Sequence, residues 1–136
     1  MKKEDKELLL KDLCARLPYG LKVKIKYYDD VWELLAIYTN GTTYATRDIG
    51  YPIETHFEDC KPYLFPLSSM TDEQKKEYNR WKHEIPVCHY EYGDVVEEIE
   101  LWDSPESFEY LIENHFDYRG FIERGLAIDA TGLNIY

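Results

Sequence analysis

The sequence predicts an α+β fold: an N-terminal helix, a small antiparallel β-meander or SH3-like barrel, then C-terminal helices with an acidic β-hairpin. Three observations carry this. Residues 4–17 repeat apolar side chains at helical spacing, with Leu9, Leu10, Leu13 and Leu17 on one stripe. The stretch "LKVKIKYY" alternates strictly, Leu21, Val23, Ile25 and Tyr27 against Lys22, Lys24 and Lys26. Thr71-Asp72-Glu73-Gln74 and Ser104-Pro105 are helix starts, and they bracket a second alternating region.

Each element follows from local chemistry. Leu8 and Cys14 widen the stripe of the first helix, which ends at Pro18, and Gly20 supplies the turn. The Lys row after it suits an edge strand or a wet sheet face. Asp29-Asp30 turns the chain into "VWELLAIYT", apolar on both sides as a central strand requires. Asn40-Gly41 is a hairpin signal, because both residues tolerate positive φ, and "TTYATR" is the third strand. Residues 48–59 read as loop. "CKPYLF" is a further short strand, placed at an edge by Pro62, which has no N–H to donate.

The string "KPYLFPLSSMTDEQKKEY" is a joint between layers. Its prolines hold the chain extended, and the Thr71/Gln74 capping box starts a helix that reaches to about residue 83, with Tyr78 and Trp81 on one side. A hairpin follows, "VCHYEYGDVVEEIELW", with Gly93-Asp94 as its two-residue turn and an acidic polar face formed by Glu97, Glu98 and Glu100. Ser104 caps the next helix, whose apolar stripe is Phe108, Leu111, Ile112 and His115. Asp117 caps a last short helix, "YRGFIER", stopped at Gly125, and the apolar tail "LAIDATGLNIY" docks on the fold.

The 136 residues form one expected domain, 1–136, with a core large enough to stand alone. No secretory signal is read at the start, where Glu4, Asp5 and Glu7 interrupt any basic-apolar pattern, and no run approaches a membrane span. Three widely spaced cysteines, Cys14, Cys60 and Cys88, fit a reducing compartment, so a cytoplasmic protein is expected.

Charge is uneven. Residues 1–66 hold 10 Lys and Arg against 11 Asp and Glu, whereas residues 67–136 hold 6 against 16. Between Lys82 and Arg119 there is no cation at all. Such a block repels phosphate backbones and excludes direct nucleic-acid binding through this half; it attracts a basic protein, including a nucleic-acid-binding one. The expected partner-binding residues are Glu91, Asp94, Glu97, Glu98, Glu100, Asp103, Glu106, Glu109 and Glu113. The competing reading of the same block is a solvated acidic surface that maintains solubility.

Catalytic and metal signatures are missing. "HEIPVCH" spaces its histidines six apart across Pro86, not four apart on one helical face, and Cys88 and His89 would point to opposite sides of a strand. No phosphate loop or nucleophile elbow occurs, and no cofactor or metal is implied. A Cys–His nucleophilic pair remains open at this level, because such partners meet only in the fold. In "NHFDYRG", His115, Asp117 and Arg119 read as a helix end, a cap and a restart, against the rival reading of a polar site.

The blocks "KDLCARLPYGLKVK", "DCKPYLFPLSSMTDEQKKEY" and "NHFDYRGFIERGLAIDATGLNIY", in this order, resemble a family of short proteins of gut Bacteroides and related bacteria and of their phages and prophages. The resemblance implies an intracellular protein of a bacterium or its mobile elements and supplies no chemistry. Four functions are compatible with the sequence: a non-catalytic interaction module that meets a basic partner through its acidic C-terminal face, a phage-type inhibitor occupying the nucleic-acid site of a host enzyme, a Cys/His enzyme, or a small-ligand module using its tyrosines.

Overall fold

The computed structural model describes residues 1–136, and they divide into two compact units. The first comprises Met1–Ser69 and Ile112–Tyr136, the second Met70–Leu111. The boundary falls inside the string read as a joint. The architecture is α+β, with an N-terminal helix, a mixed sheet and a separate hairpin.

In the first unit, α1 (Lys3–Arg16) leads through a 3-10 turn (Leu17–Tyr19) into β1 (Lys22–Ile25). Strands β2 (Val31–Ile37), β3 (Thr42–Thr46) and β4 (Ile53–His56) continue an antiparallel meander. A 3-10 turn (Phe57–Asp59) feeds β5 (Cys60–Pro66), which returns to pair with β1. Two short strands, β8 (Phe116–Asp117) and β9 (Ile128–Asp129), add to the other side of β5 in parallel. The order β4-β3-β2-β1-β5-β8 has two free ends, so the meander forms without a closed ring of pairings.

The core is built from the predicted alternation. Leu21, Val23 and Ile25 are buried with Trp32 and Leu34 of β2, Ala45, Leu64, and Leu9 and Leu13 of α1. Burying one such side chain contributes about 1.5–3 kcal/mol. Phe121, Leu126 and Ala127 join the same cluster, so the apolar tail does dock.

Several expectations are corrected. The inward row of β1 stops at Ile25: Tyr27 sits at φ +72, is 90% exposed and belongs to a turn in which the Tyr28 N–H reaches the Ile25 carbonyl. The Lys row is a wet face, because β1 lies between β2 and β5. In β2 Leu35 faces outward by alternation after buried Leu34, and a register slip between Leu34 and Ala36 then sets Ala36 opposite Tyr44. Residues 53–56, read as loop, are a strand, held by β3 although three of their four side chains are polar. Pro62 is not at an edge; Lys26 N–H bonds the Asp59 carbonyl, so by alternation the Pro62 nitrogen faces away from β1, one residue before β9 begins. Cys14 is exposed, because α1 buries Asp12 and Arg16 beside Leu9 and Leu13. Residues 118–124 form turns instead of a helix, although Asp117 caps them as expected: its carboxylate accepts from the Phe121 and Ile122 N–H groups, both at 2.9 Å. One glycine is sterically required: Gly41, at φ +90, where a Cβ would collide with the His56 imidazole.

In the second unit the capping box of α2 (Asp72–Arg80) is present as read, Thr71 accepting from Gln74 N–H and Gln74 from Thr71 N–H. The helix stops at Arg80, short of residue 83, because the chain goes straight into β6 (His83–Glu91), paired with β7 (Asp94–Trp102). Ser104 caps α3 (Pro105–Glu113) reciprocally with Ser107, and Ser104 Oγ–H also donates to the Trp81 carbonyl. The α3 helix runs across the boundary between units, ending before His115, which sits at φ +60.

Candidate functional site

The hairpin turn is Tyr92-Gly93, at φ +51 and +86, and not Gly93-Asp94. Positive φ at both central positions is the type I′ geometry that matches strand twist. The one-residue difference sets the faces. Glu91 pairs with Asp94, His89 with Val96, Val87 with Glu98, Ile85 with Glu100 and His83 with Trp102 on one face. Tyr90 pairs with Val95, Cys88 with Glu97, Pro86 with Ile99 and Glu84 with Leu101 on the other.

The predicted acidic residues are therefore placed as follows. Glu91, Asp94, Glu98 and Glu100 share the first hairpin face. Glu97 lies on the second with Glu84, since neighbours on a strand point opposite ways, so Glu97 and Glu98 do not form one row. Asp103 is tied into the fold, accepting from Tyr78 O–H and from Ser107 Oγ–H. Burial, with the Asp103 hydrogen bond and charge, pushes the Tyr78 phenol up. Glu106, Glu109 and Glu113 follow α3 at helical spacing. All nine are exposed. The His89 imidazole lies 3.9 Å from Glu91, and the Trp102 indole N–H donates to Glu100 at 2.9 Å.

What sequence reasoning missed is the second face. Tyr90 is 82% exposed, Val95 61%, Ile99 68% and Leu101 44%, an apolar row open to solvent. The signal was present in the alternation, but a turn displaced by one residue hid it. Only Ile85, Val87 and Val96 of the hairpin are half-buried, all on the first face.

The first unit contains a different polar grouping, drawn from all three blocks singled out in the sequence. Asp12 and Arg16 are wholly buried on α1, joined Oδ2 to Nε at 2.9 Å. Asp12 Oδ1 receives Arg119 Nε at 3.2 Å, and Arg16 Nη2 donates to the Phe116 carbonyl at 2.6 Å. His115 is buried against Tyr136, rings stacked 4.1 Å apart. Burial, with the Arg16 charge, pulls its imidazole down to about 4. Tyr136 O–H donates to the Tyr63 carbonyl at 2.8 Å and accepts from Lys22 N–H at 2.9 Å; burial raises its phenol. These contacts tie α1, β1, β5 and the C-terminal segment together. The "NHFDYRG" residues thus act as structural ties, with Asp117 as a cap.

The chemistry of the thiols and imidazoles is equally concrete. Cys60 is buried, its thiol donates to the His56 carbonyl at 3.7 Å, and burial with the Asp59 charge pushes it up to about 12. A thiol so raised is not a nucleophile at neutral pH. Cys88 and His89 lie on opposite hairpin faces. No group of three His, Cys, Asp or Glu side chains is arranged to hold a metal ion. A cleft of about 480 Å³ in the first unit is lined by Lys24, Lys26 and Lys61 with Glu58 and Asp59, beside Tyr27 and Ile128, and contains neither Cys nor His. No helix is long and apolar enough to cross a membrane. Comparison with known protein families, with curated proteins and with solved structures finds no match.

Proposed function

We propose that this protein is a non-catalytic interaction module that engages a basic protein partner through the acidic hairpin of its second unit. One observation carries the reading. Two nine-residue strands project carboxylates at Glu84, Glu91, Asp94, Glu97, Glu98 and Glu100, carry no Lys or Arg, and leave an apolar row exposed. The fold does not require these charges. Glu91 faces Asp94 directly, and like charges in a cross-strand pair weaken a sheet. A two-stranded sheet with few buried side chains is itself marginal in water. The internal contacts of these carboxylates are limited to the Trp102 indole on Glu100 and the His89 imidazole near Glu91, which leaves most of this charge for an external partner. A bacterial or mobile-element protein of this kind would find basic surfaces abundantly among nucleic-acid-binding proteins.

The test is affinity capture from bacterial lysate with the parent chain and with a variant carrying Glu91→Lys, Glu97→Lys, Glu98→Lys and Glu100→Lys. The expected result is a set of basic proteins held by the parent, lost by the variant, released by salt and displaced by DNA. Equal recovery from both chains refutes the reading.

A further inference from the structure

We propose that the outer edge of β7 is a strand-docking edge, and that its occupant is an extended segment of the partner in which Lys or Arg alternates with Val, Ile or Leu. This rests on the hairpin being the partner surface, and it specifies how the partner is held.

The backbone decides which edge is open. In a two-residue hairpin the residues flanking the turn, here Glu91 and Asp94, exchange ladder hydrogen bonds, and every second pair after them does the same. The remaining residues turn their N–H and C=O groups outward. On β6 these are Tyr90, Cys88, Pro86 and Glu84; on β7 they are Val95, Glu97, Ile99 and Leu101. Pro86 has no N–H, so the β6 edge is interrupted at its centre. The β7 edge is continuous. Neither strand pairs with anything but the other.

Side chains then decide what fits. A strand added to β7 places residues opposite Val95, Ile99 and Leu101 on the exposed apolar face, and residues opposite Glu98 and Glu100 on the acidic one. Apolar residues on the first row and cations on the second complete both faces. An edge this long and apolar is normally blunted by Lys, Pro or a bulge. Here the blunting groups on β7 are all carboxylates, which repel acidic edges, a second copy of this hairpin included, and admit basic ones. Main-chain bonds supply affinity and the alternation supplies specificity, as in other strand-addition complexes.

The probe is a fluorescein-labelled peptide, KVKIKVKIK, titrated against the full chain and followed by anisotropy. Saturable binding is expected. Ile99→Pro weakens it at least about tenfold, roughly the loss of one outward bond and its alignment. That substitution sits directly across from Pro86 at an N–H the hairpin does not use, and circular dichroism checks that the fold persists. Independently of any change to the protein, a probe N-methylated at alternate residues, and the equally charged KSKSKSKSK, bind at least about tenfold more weakly. If Ile99→Pro and the N-methylated probe both bind within about twofold of their parents, the edge is not used and this inference fails. Capture by the acidic face can still succeed in that case. Absence of saturable binding to KVKIKVKIK overturns it as well, while the lysate experiment separately decides the broader reading.

Discussion

Replacing Asp12 by Ala isolates the least replaceable contact of the first unit. Asp12 is 0% exposed, and each of its oxygens holds one guanidinium, Arg16 at 2.9 Å and Arg119 at 3.2 Å. Arg16 is also 0% exposed, and its Nη1 already lacks a partner. Without Asp12, Arg16 keeps the Phe116 carbonyl and the face of the Tyr118 ring but no anion, and becomes an uncompensated buried charge. Breaking such a pair costs about 3–5 kcal/mol. Against a total stability of about 5–15 kcal/mol, this is about a fifth or more of what holds the fold. With a urea m value of about 2 kcal/mol/M, the midpoint falls by about 2 M. The readout is Trp32 fluorescence, since Trp32 is 2% exposed, in a background where Trp81 and Trp102 are replaced by Phe. The double variant Asp12→Ala, Arg16→Met removes the stranded charge and recovers more than half of the loss, because apolar replacement of a buried pair is often neutral. A single-variant loss below about 0.5 kcal/mol, the size of an ordinary surface substitution, refutes the reasoning.

Two further outcomes follow from the titrating groups. The folded-state His115 imidazole is lowered to about 4 from 6.5, so its contribution is fully present above pH 6.5 and declines as pH falls toward 4; His115→Gln flattens the stability profile by on the order of 1.4 kcal/mol per pH unit in that window, and identical profiles for both chains exclude it. With its thiol pushed up to about 12, Cys60 reacts with iodoacetamide far more slowly at pH 7.5 than exposed Cys14 and Cys88; mass mapping that finds Cys60 modified first revives the enzyme alternative.

Local chemistry was legible in the sequence wherever a residue's partner lies nearby. The Thr71/Gln74 box, the Ser104 cap and the Leu21–Val23–Ile25 alternation stand as read. Long-range partners were not legible. Asp12 and Arg16 look like a solvated helix pair, and only residues about a hundred positions away, Phe116 and Arg119, bring them inside. Residues 53–56 follow Gly50 and Pro52 and are too short and polar to stand out as a strand, and β3 orders them. The candidate site was half legible: composition located the carboxylates, but their faces depended on the turn. Glycine tolerates positive φ at either turn position, so Gly-Asp and Tyr-Gly both fit the letters, and the structure adopts the one that puts Tyr92 at φ +51.

The two units pair their charges to different extents, and that difference supports the role proposed for the hairpin. In the first, Asp5 meets Arg124, Asp12 meets Arg16 and Arg119, Asp30 meets Arg47, Glu33 meets Lys22 and Glu58 meets Lys6. Five acids there each have a cation within 4 Å that comes from another element of the chain. In the second, Arg80 meets Glu77 and His89 lies near Glu91, and the carboxylates of β7 have no Lys or Arg on either hairpin strand. A solubilising surface would be served by mixed charge as in the first unit. Unmatched carboxylates beside an exposed apolar row instead combine long-range attraction with a contact area, which is what capture of a basic partner requires. Restoring mixed charge on the hairpin, with Lys at Glu98 and Glu100, should leave solubility intact while abolishing capture; a chain that still captures its partners after that change has its binding surface elsewhere.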